Sequence, residues 1–261
     1  MIDTMSQTIR SEDESIGGVP VRQYSADEPS TWTMVFVHGG GFSWGTLDDY
    51  DQIARNLCNA TGADILSVGY RLAPEHPFPA GLDDICAVVR EVAARMPAGR
   101  KIALGGDSAG ACLAAGAAQR LRDEGSAEID GQLLIYPMIE FHDRTPAAFH
   151  TLSDRFHPSF DAVRSAWDTY LQVRGDGLPA YAVPTRTPSL IGLPPALTIL
   201  AENDPLCFEA MAYAEQLLSA GVPSKVISYE GTAHGFLNEP PRGIVAKALA
   251  DIGAWFEARG R

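Results

Sequence analysis

Ser108 lies in the pentapeptide Gly-Asp-Ser-Ala-Gly at 106–110, a pattern found around serines that act as nucleophiles. The pentapeptide directly follows an apolar run at 101–105 that predicts a strand, and it opens a helical pattern at 109–124. A sharp strand-to-helix turn would strain the backbone of Ser108 and project its hydroxyl at the start of the helix, where backbone N–H groups favour negative charge. The alternative is a serine that caps an ordinary turn, so the motif alone leaves both interpretations open.

Three consecutive glycines, Gly39, Gly40 and Gly41, follow the apolar run at 34–38. Glycine leaves backbone N–H groups unshielded by side chains, and such groups can stabilise the negatively charged oxygen that forms during acyl transfer. No Gly-Lys-Ser or Gly-Lys-Thr follows the triplet, which excludes a P-loop and leaves a flexible turn as the alternative. The remaining donor of an oxyanion hole would be the N–H of Ala109, directly after the candidate nucleophile.

An activated serine needs a base and an acidic residue that orients the base, and after this type of turn they follow in the order Asp or Glu, then His. Asp204 follows the predicted strand at 196–201, and His234 follows the predicted strand at 225–229. Both would therefore lie at the sheet edge that holds Ser108. The alternatives are a helix cap for Asp204 and an ordinary loop histidine for His234. No pair of histidines has the spacing of metal ligands, so we expect neither a metal nor a cofactor.

Apolar runs rich in β-branched residues alternate with helical patterns along most of the chain. The predicted strands are 19–24, 34–38, 64–70, 101–105, 132–136, 196–201 and 225–229. The predicted helices are 49–61, 82–95, 109–124, 208–220 and 244–259. The first strand is the second arm of an opening hairpin, and most of the others are continuous apolar runs, as in strands buried on both faces. This alternation predicts an α/β fold with a mostly parallel sheet covered by helices.

The stretch 137–193 contains no convincing strand but many aromatic residues, and it interrupts the alternation before the last two strands. Connections this long in compact domains are usually functional, so we interpret 137–193 as a lid, with an ordinary long connection as the alternative. One short amphipathic helix is predicted inside it, because four apolar residues recur there at helical spacings. They are Phe160, Trp167, Tyr170 and Leu171. Its apolar face would either pack on the sheet or roof the Ser108 pocket together with Phe42 and Trp44, which we take as substrate-binding residues.

The chain has 261 residues, of which 46% are apolar and 20% charged, as in globular proteins, and we expect one domain over 1–261. Its net charge of −13 disfavours binding to nucleic acid or to an anionic membrane surface. The segment 1–15 is polar, unlike a signal peptide, and no run of about eighteen apolar residues occurs, so we expect a cytoplasmic protein. Four dispersed cysteines are expected to be free, buried thiols. A homodimer through an exposed sheet edge is an alternative to a monomer.

Five segments, in chain order, resemble those of the hormone-sensitive-lipase-like group of α/β-hydrolases, which comprises esterases and related acyl hydrolases. They are His38-Gly-Gly-Gly-Phe42, Tyr70-Arg-Leu-Ala-Pro-Glu-His-Pro-Phe-Pro79, Gly106-Asp-Ser-Ala-Gly110, Asp204-Pro-Leu206 and His234-Gly-Phe236. The resemblance implies the α/β-hydrolase fold and a catalytic triad of Ser108, Asp204 and His234. It also implies an oxyanion hole made by Ala109 and two of the three glycines, of which we favour the second and third.

Two further expectations concern the surroundings of this site. We interpret the segment 70–79 as structural, with an ion pair between Arg71 and Glu75, and a substrate-binding role for Glu75 or His76 is the alternative. We expect Asp107 to shape the turn by accepting local backbone N–H groups. Only 37 residues precede His38, so the N-terminal part of the cap found in the resembling group is expected to be reduced or absent.

The resemblance implies a serine hydrolase that cleaves small or short-to-medium acyl esters through an acyl-enzyme, with a small-molecule ester as its partner. The same triad could instead hydrolyse a lactone, an amide or a carbamate. An alternative from another class is a non-catalytic protein of this fold that binds a small molecule. The presence of both Ser108 and His234 argues against that alternative.

Overall fold

The computed structural model describes residues 9–172 and 177–260 of the chain. Eight strands form one sheet in the order β1-β2-β4-β3-β5-β6-β7-β8. They are β1 (Arg10–Ile16), β2 (Val19–Ser25), β3 (Trp32–Val37), β4 (Asp64–Val68), β5 (Lys101–Asp107), β6 (Gly131–Ile135), β7 (Ala196–Asn203) and β8 (Ser224–Ala233). β2 pairs antiparallel with β1 and with β4, and the other neighbouring strands are parallel. The predicted α/β fold with a mostly parallel sheet is confirmed.

Seven α-helices connect or cover the strands in the described part of the chain. They are α1 (Asp51–Thr61), α2 (Ala80–Arg95), α3 (Ala109–Glu124), α4 (Ala147–Ser153), α5 (Phe160–Leu171), α6 (Cys207–Ser219) and α7 (Ile244–Gly260). Six of them coincide within a few residues with helices that the sequence predicts, and only α4 was not expected. Helices α1 and α7 contact each other, as do α2 and α3.

The central strand β3 shows how the sheet is held between two cores. Met34 and Phe36 belong to the core under α1 and α7, whereas Val35 and Val37 belong to the core under α2 and α3. All four side chains are fully buried. Successive side chains of a strand point to opposite faces, so only a continuous apolar run fits a strand covered on both sides. This packing fixes the carboxyl ends of the central strands, from which the loops of the candidate site begin.

The stretch 137–193 contains α4, α5 and no strand among its described residues, and residues 173–176 lie outside the described part. It also contains two single turns of 3₁₀ helix, His142–Arg144 and Pro184–Arg186. The predicted amphipathic helix is α5, and its buried residues are Val163, Trp167, Tyr170 and Leu171. The face of α5 that carries its aromatic residues packs on the loop after β3, where the ring of Tyr170 stacks on Phe42 with centroids 3.9 Å apart. The role of this stretch as a lid stays a prediction.

The described residues that precede β3 form the β1–β2 hairpin and no helix, and a reduced N-terminal cap stays a prediction. Residues 1–8 of the polar segment predicted at 1–15 lie outside the described part of the chain. No helix that the structure describes is both long and apolar enough to cross a membrane.

Two expectations about individual side chains are wrong. Arg71 does not pair with Glu75, which is exposed. Its guanidinium lies 2.8 Å from the carboxylate of Asp84 on α2, and its backbone N–H donates to the same carboxylate at 2.9 Å. The first turns of α2 therefore supply a partner that spacing within 70–79 could not indicate. All four cysteines are free, but Cys207 opens α6 and is only partly buried, whereas the other three are buried.

Candidate active site

Ser108 occupies the sharp turn between β5 and α3 that the sequence predicts, with a φ of 53° and a ψ of −122°. A positive φ is uncommon for a residue other than glycine and marks local strain. The turn also brings α3 very close to β3. A Cβ on Gly110 would lie 2.1 Å from the carbonyl oxygen of Val37, so only glycine fits there. The packing of the helix against the strand thus depends on the second glycine of the motif.

The side chains of Ser108, His234 and Asp204 form one chain of hydrogen bonds. His234 Nε2 lies 3.0 Å from Ser108 Oγ, and His234 Nδ1 lies 2.7 Å from Asp204 Oδ2. Asp204 follows β7 and is fully buried, and its other carboxylate oxygen accepts the N–H of Leu206 at 2.9 Å. A carboxylate can only accept, so Nδ1 carries the proton and Nε2 is free to accept the serine hydroxyl hydrogen. The arrangement can therefore withdraw a proton from Ser108.

The glycine triplet lies beside the carboxyl end of β5. The N–H of Gly39 donates to Asp107 Oδ1 at 2.8 Å, so this group has a partner and is not available to an oxyanion. The N–H groups of Gly40, Gly41 and Ala109 donate to no group in the described residues. Of the four predicted donors, these three remain, and they include the two glycines that we favoured.

His38 directly precedes the glycine triplet and packs among aromatic rings. Its buried ring stacks on Tyr70 with centroids 4.5 Å apart and lies 4.9 Å from the ring of Tyr50. The hydroxyl of Tyr70 donates to the carbonyl oxygen of His38 at 3.0 Å. Burial lowers the pKa of His38, which favours a neutral ring in this aromatic surrounding. Sequence reasoning missed these supports, although Tyr70 opens the segment that it interpreted as structural.

A cavity of about 270 Å³ opens above Ser108. Helix α5 and the chain before it contribute Pro158, Ala162, Val163 and Ala166, and the body contributes Tyr50, Met138 and Asn238, besides the candidate catalytic residues. This lining is mostly apolar and suits an uncharged substrate. Spacing alone did not single out these residues, because Ala162 and Ala166 are too small to register in a hydrophobic pattern.

Phe42 and Trp44, which we expected to bind substrate, do not line this cavity. Phe42 has a φ of 64° in the turn after the glycines, and its ring is buried under Tyr170. Trp44 is 60% exposed. The tight turn that begins at Gly40, whose carbonyl accepts the N–H of Trp44 at 3.0 Å, explains why neither ring reaches the pocket.

Two buried carboxyl groups lie near the triad without belonging to it. Burial raises the pKa of Asp107 to about 7 and that of Glu209 to about 8. Glu209, in the first turn of α6, accepts the N–H of Ile139 at 2.6 Å and that of Glu140 at 3.2 Å. It thereby ties α6 to the start of the stretch 137–193.

Comparison with known proteins gives a consistent picture. Residues 34–238 match a family described as having the alpha/beta hydrolase fold. The chain is 38% identical over 224 residues to the esterase LipI of Mycobacterium tuberculosis, which covers 81% of this chain and 67% of LipI. A hyperthermophilic esterase from the archaeon Pyrobaculum calidifontis has a similar structure, with a TM-score of 0.89 and 34% identity over 98% of this chain and 88% of that chain. An esterase of the bacterial hormone-sensitive lipase family superimposes with a TM-score of 0.90 and 28% identity, over 97% of this chain and 85% of that chain.

Proposed function

The chain belongs to the hormone-sensitive-lipase-like esterases of the α/β-hydrolase family, and from this membership we propose that it hydrolyses carboxylic esters through an acyl-enzyme formed on Ser108. The observation that carries the proposal is the unbroken hydrogen-bonded chain from Asp204 through His234 to Ser108, at 2.7 and 3.0 Å. It lies at the floor of a mostly apolar cavity, next to three backbone N–H groups without partners among the described residues.

The reaction begins when Ser108 Oγ attacks the ester carbonyl carbon while His234 Nε2 takes the hydroxyl proton. The carbonyl electrons move to the oxygen, and the N–H groups of Gly40, Gly41 and Ala109 would stabilise the oxyanion. Each donor of this kind contributes about 3–4 kcal/mol in comparable sites. The C–O bond to the alcohol then breaks, and His234 returns its proton to the leaving alkoxide.

Water hydrolyses the acyl-enzyme along the reverse path. His234 takes a proton from the water, the hydroxide attacks the acyl carbon, and Ser108 leaves with the proton restored to Oγ. Asp204 keeps the imidazole in the tautomer that this requires and stabilises its cationic form. The residues of this chain are sufficient for each of these steps.

The size of the cavity points to short acyl esters as substrates. A volume of about 270 Å³ lies at or below the lower end of ordinary ligand pockets, which span roughly 300–1,000 Å³. Helix α5 lines this cavity through Ala162, Val163 and Ala166. A small uncharged ester therefore suits the cavity best.

The proposal is tested by labelling with an organophosphonate that carries a good leaving group. We expect one adduct per chain, on Ser108, with loss of p-nitrophenyl acetate hydrolysis in proportion to labelling. Ser108→Ala is the matched control, since it removes only the hydroxyl, and it should neither react nor hydrolyse. Labelling of another serine, or full activity in Ser108→Ala, would overturn the assignment.

The same geometry also suits lactones, amides and carbamates, because the triad acts on the carbonyl and not on the leaving group. Rates measured on one panel of esters, lactones, carbamates and anilides separate these classes. A non-catalytic receptor of this fold would show binding without turnover on every member of the panel, whereas membership in an esterase family favours turnover. A cytoplasmic location and a homodimer stay predictions.

A further inference from the structure

Asp107 is a buried carboxyl group directly beside the candidate nucleophile. It is the last residue of β5 and comes directly before Ser108, and its side chain is only 2% exposed. No lysine or arginine in the described residues forms an ion pair with it. The groups close enough to interact with its charge are the phenols of Tyr50, Tyr70 and Tyr136 and the imidazole of His234. A buried carboxyl group without a cationic partner is costly, so its contact with the glycine triplet needs an explanation.

That contact follows from the sheet. β3 and β5 are parallel neighbours, and Val37 of β3 is paired with Gly106 of β5. The loop that leaves β3 therefore passes directly over the end of β5, where Asp107 Oδ1 accepts the N–H of Gly39 at 2.8 Å. The approach is so close that a Cβ on Gly39 would stand 2.7 Å from Asp107 Oδ2.

We propose that Asp107 is a positioning residue that holds the peptide of Gly39 and thereby aims the N–H groups of Gly40 and Gly41 at the substrate oxyanion. The inference rests on the function proposed above. The strand that carries the nucleophile would thus also fix the other half of the oxyanion hole, through one side chain placed next to Ser108. A carboxyl oxygen can accept this N–H whether the group is charged or protonated, so the contact can hold the glycine loop on both sides of the raised pKa of Asp107.

The role predicts a loss of catalysis that appears in kcat and not in KM. Asp107→Ala removes the acceptor, so the loop relaxes and the transition state loses N–H donors that the ground state uses little. We expect kcat to fall by about 10²–10³-fold, as when an oxyanion donor is removed, with KM nearly unchanged. Inhibition by an aryl trifluoromethyl ketone, whose adduct with serine carries an oxyanion, should weaken by a similar factor.

Two further variants separate positioning from simple loss of structure. Asp107→Asn keeps an oxygen that can accept the Gly39 N–H, and it should recover most of the lost kcat. Asp107→Leu keeps the branched shape of the side chain but has no acceptor, so it should behave like Asp107→Ala. The leucine variant replaces the alanine variant in the test if the latter is unstable. Glu209→Ala is the matched control, because it removes another buried carboxyl group that accepts backbone N–H groups, away from the glycine triplet. We expect it to lower the melting temperature and to leave kcat close to that of the wild type.

The outcomes distinguish this inference from the proposed function. If phosphonate labels Ser108 in the wild type but Asp107→Ala and Asp107→Leu keep wild-type kcat, only the positioning role fails. It also fails if KM rises as much as kcat falls, or if Asp107→Asn is as impaired as Asp107→Ala. If Ser108 in the wild type is not labelled, the proposed function itself fails.

Discussion

Ser108 combines backbone strain with several backbone hydrogen bonds to neighbouring elements. Its N–H donates to Ile135 at 2.9 Å, and its carbonyl oxygen accepts the N–H groups of Ala111 at 3.1 Å and Met138 at 3.2 Å. These bonds link β5, α3 and the end of β6 through the strained residue, and none involves the hydroxyl. This is why Ser108→Ala is expected to be inactive yet folded.

The variant Asp204→Asn tests whether Asp204 keeps the His234 ring in the tautomer that can accept the serine proton. The amide would offer an N–H to His234 Nδ1, so the imidazole proton would move to Nε2, which then could not accept from Ser108. We expect kcat to fall by up to about 10⁴-fold, as in the serine-protease analogue. The Asn oxygen can still accept the N–H of Leu206, so the melting temperature should change little. Wild-type rates in a correctly folded Asp204→Asn protein would contradict the assignment.

At the scale of elements, the contact of α6 with the start of 137–193 predicts a pH dependence of stability. Burial raises the pKa of Glu209 from 4.5 to about 8 in the folded protein. Between these values the unfolded chain has released the proton that the folded chain keeps, so the free energy of unfolding falls as the pH rises. The decrease is at most about 1.4 kcal/mol for each pH unit of that window.

Glu209→Gln removes this titration while keeping an oxygen that can accept the N–H groups of Ile139 and Glu140. We expect its free energy of unfolding, relative to the wild type, to rise between about pH 5.5 and pH 7.5 in urea titrations and to level off above about pH 8, by the linkage above. Every other titrating group is common to both proteins, so the difference isolates Glu209. A difference that does not change with pH would contradict the prediction.

Helix α5 is expected to set the length of the substrate that fits. The Cβ of Ala166 lies 3.3 Å from the place where a Cβ on Gly41 would stand, so α5 directly opposes the oxyanion loop. Ala166→Phe should fill this space and lower kcat/KM for p-nitrophenyl hexanoate by roughly tenfold relative to the acetate, since each uncovered CH₂ loses about 0.8 kcal/mol. Ser165→Phe, on the exposed side of the same helix, is the control. Equal effects of the two variants would show that α5 does not line the pocket.

Regular elements were predictable because their patterns are local. Apolar runs rich in β-branched residues indicated the strands β3 to β8, and helical spacing indicated α5 inside 137–193. The direction of Phe42 was not predictable, because it depends on a positive φ within the turn that follows the glycines. The partner of Arg71 and the support of His38 by Tyr50 were not predictable either, because both depend on how separate elements pack.

The candidate catalytic residues were predictable because each of them follows a predicted strand. Ser108, Asp204 and His234 follow three strands of one parallel sheet, and the structure brings them within hydrogen-bond distance. The pocket was much less accessible to sequence reasoning. Its lining includes small residues such as Ala162, whose importance appears only once α5 is placed over Ser108.

If 137–193 is the lid, as predicted, it is the one described segment that covers the Ser108 cavity, because no described helix precedes β3. Burial of acyl CH₂ groups should therefore stop contributing after a few carbons. We expect kcat/KM on p-nitrophenyl esters to peak between about C2 and C6, given about 0.8 kcal/mol per CH₂ while pocket wall remains. A steady rise through C12 would indicate a long enclosed acyl channel and would contradict this view of the lid.

The order of the sheet has a consequence for how the protein loses activity. β8 lies at one edge of the sheet and, among the described strands, pairs with β7 alone, and His234 follows it directly. Proteins open in partial units well below the free energy of complete unfolding, and edge elements are natural members of such units. Release of β8 would withdraw the base while β3 and β5 still hold the oxyanion loop and the nucleophile in place. In moderate urea, ester hydrolysis should therefore disappear before the helical circular dichroism does, and the amides of β8 should exchange with deuterium faster than those of β5.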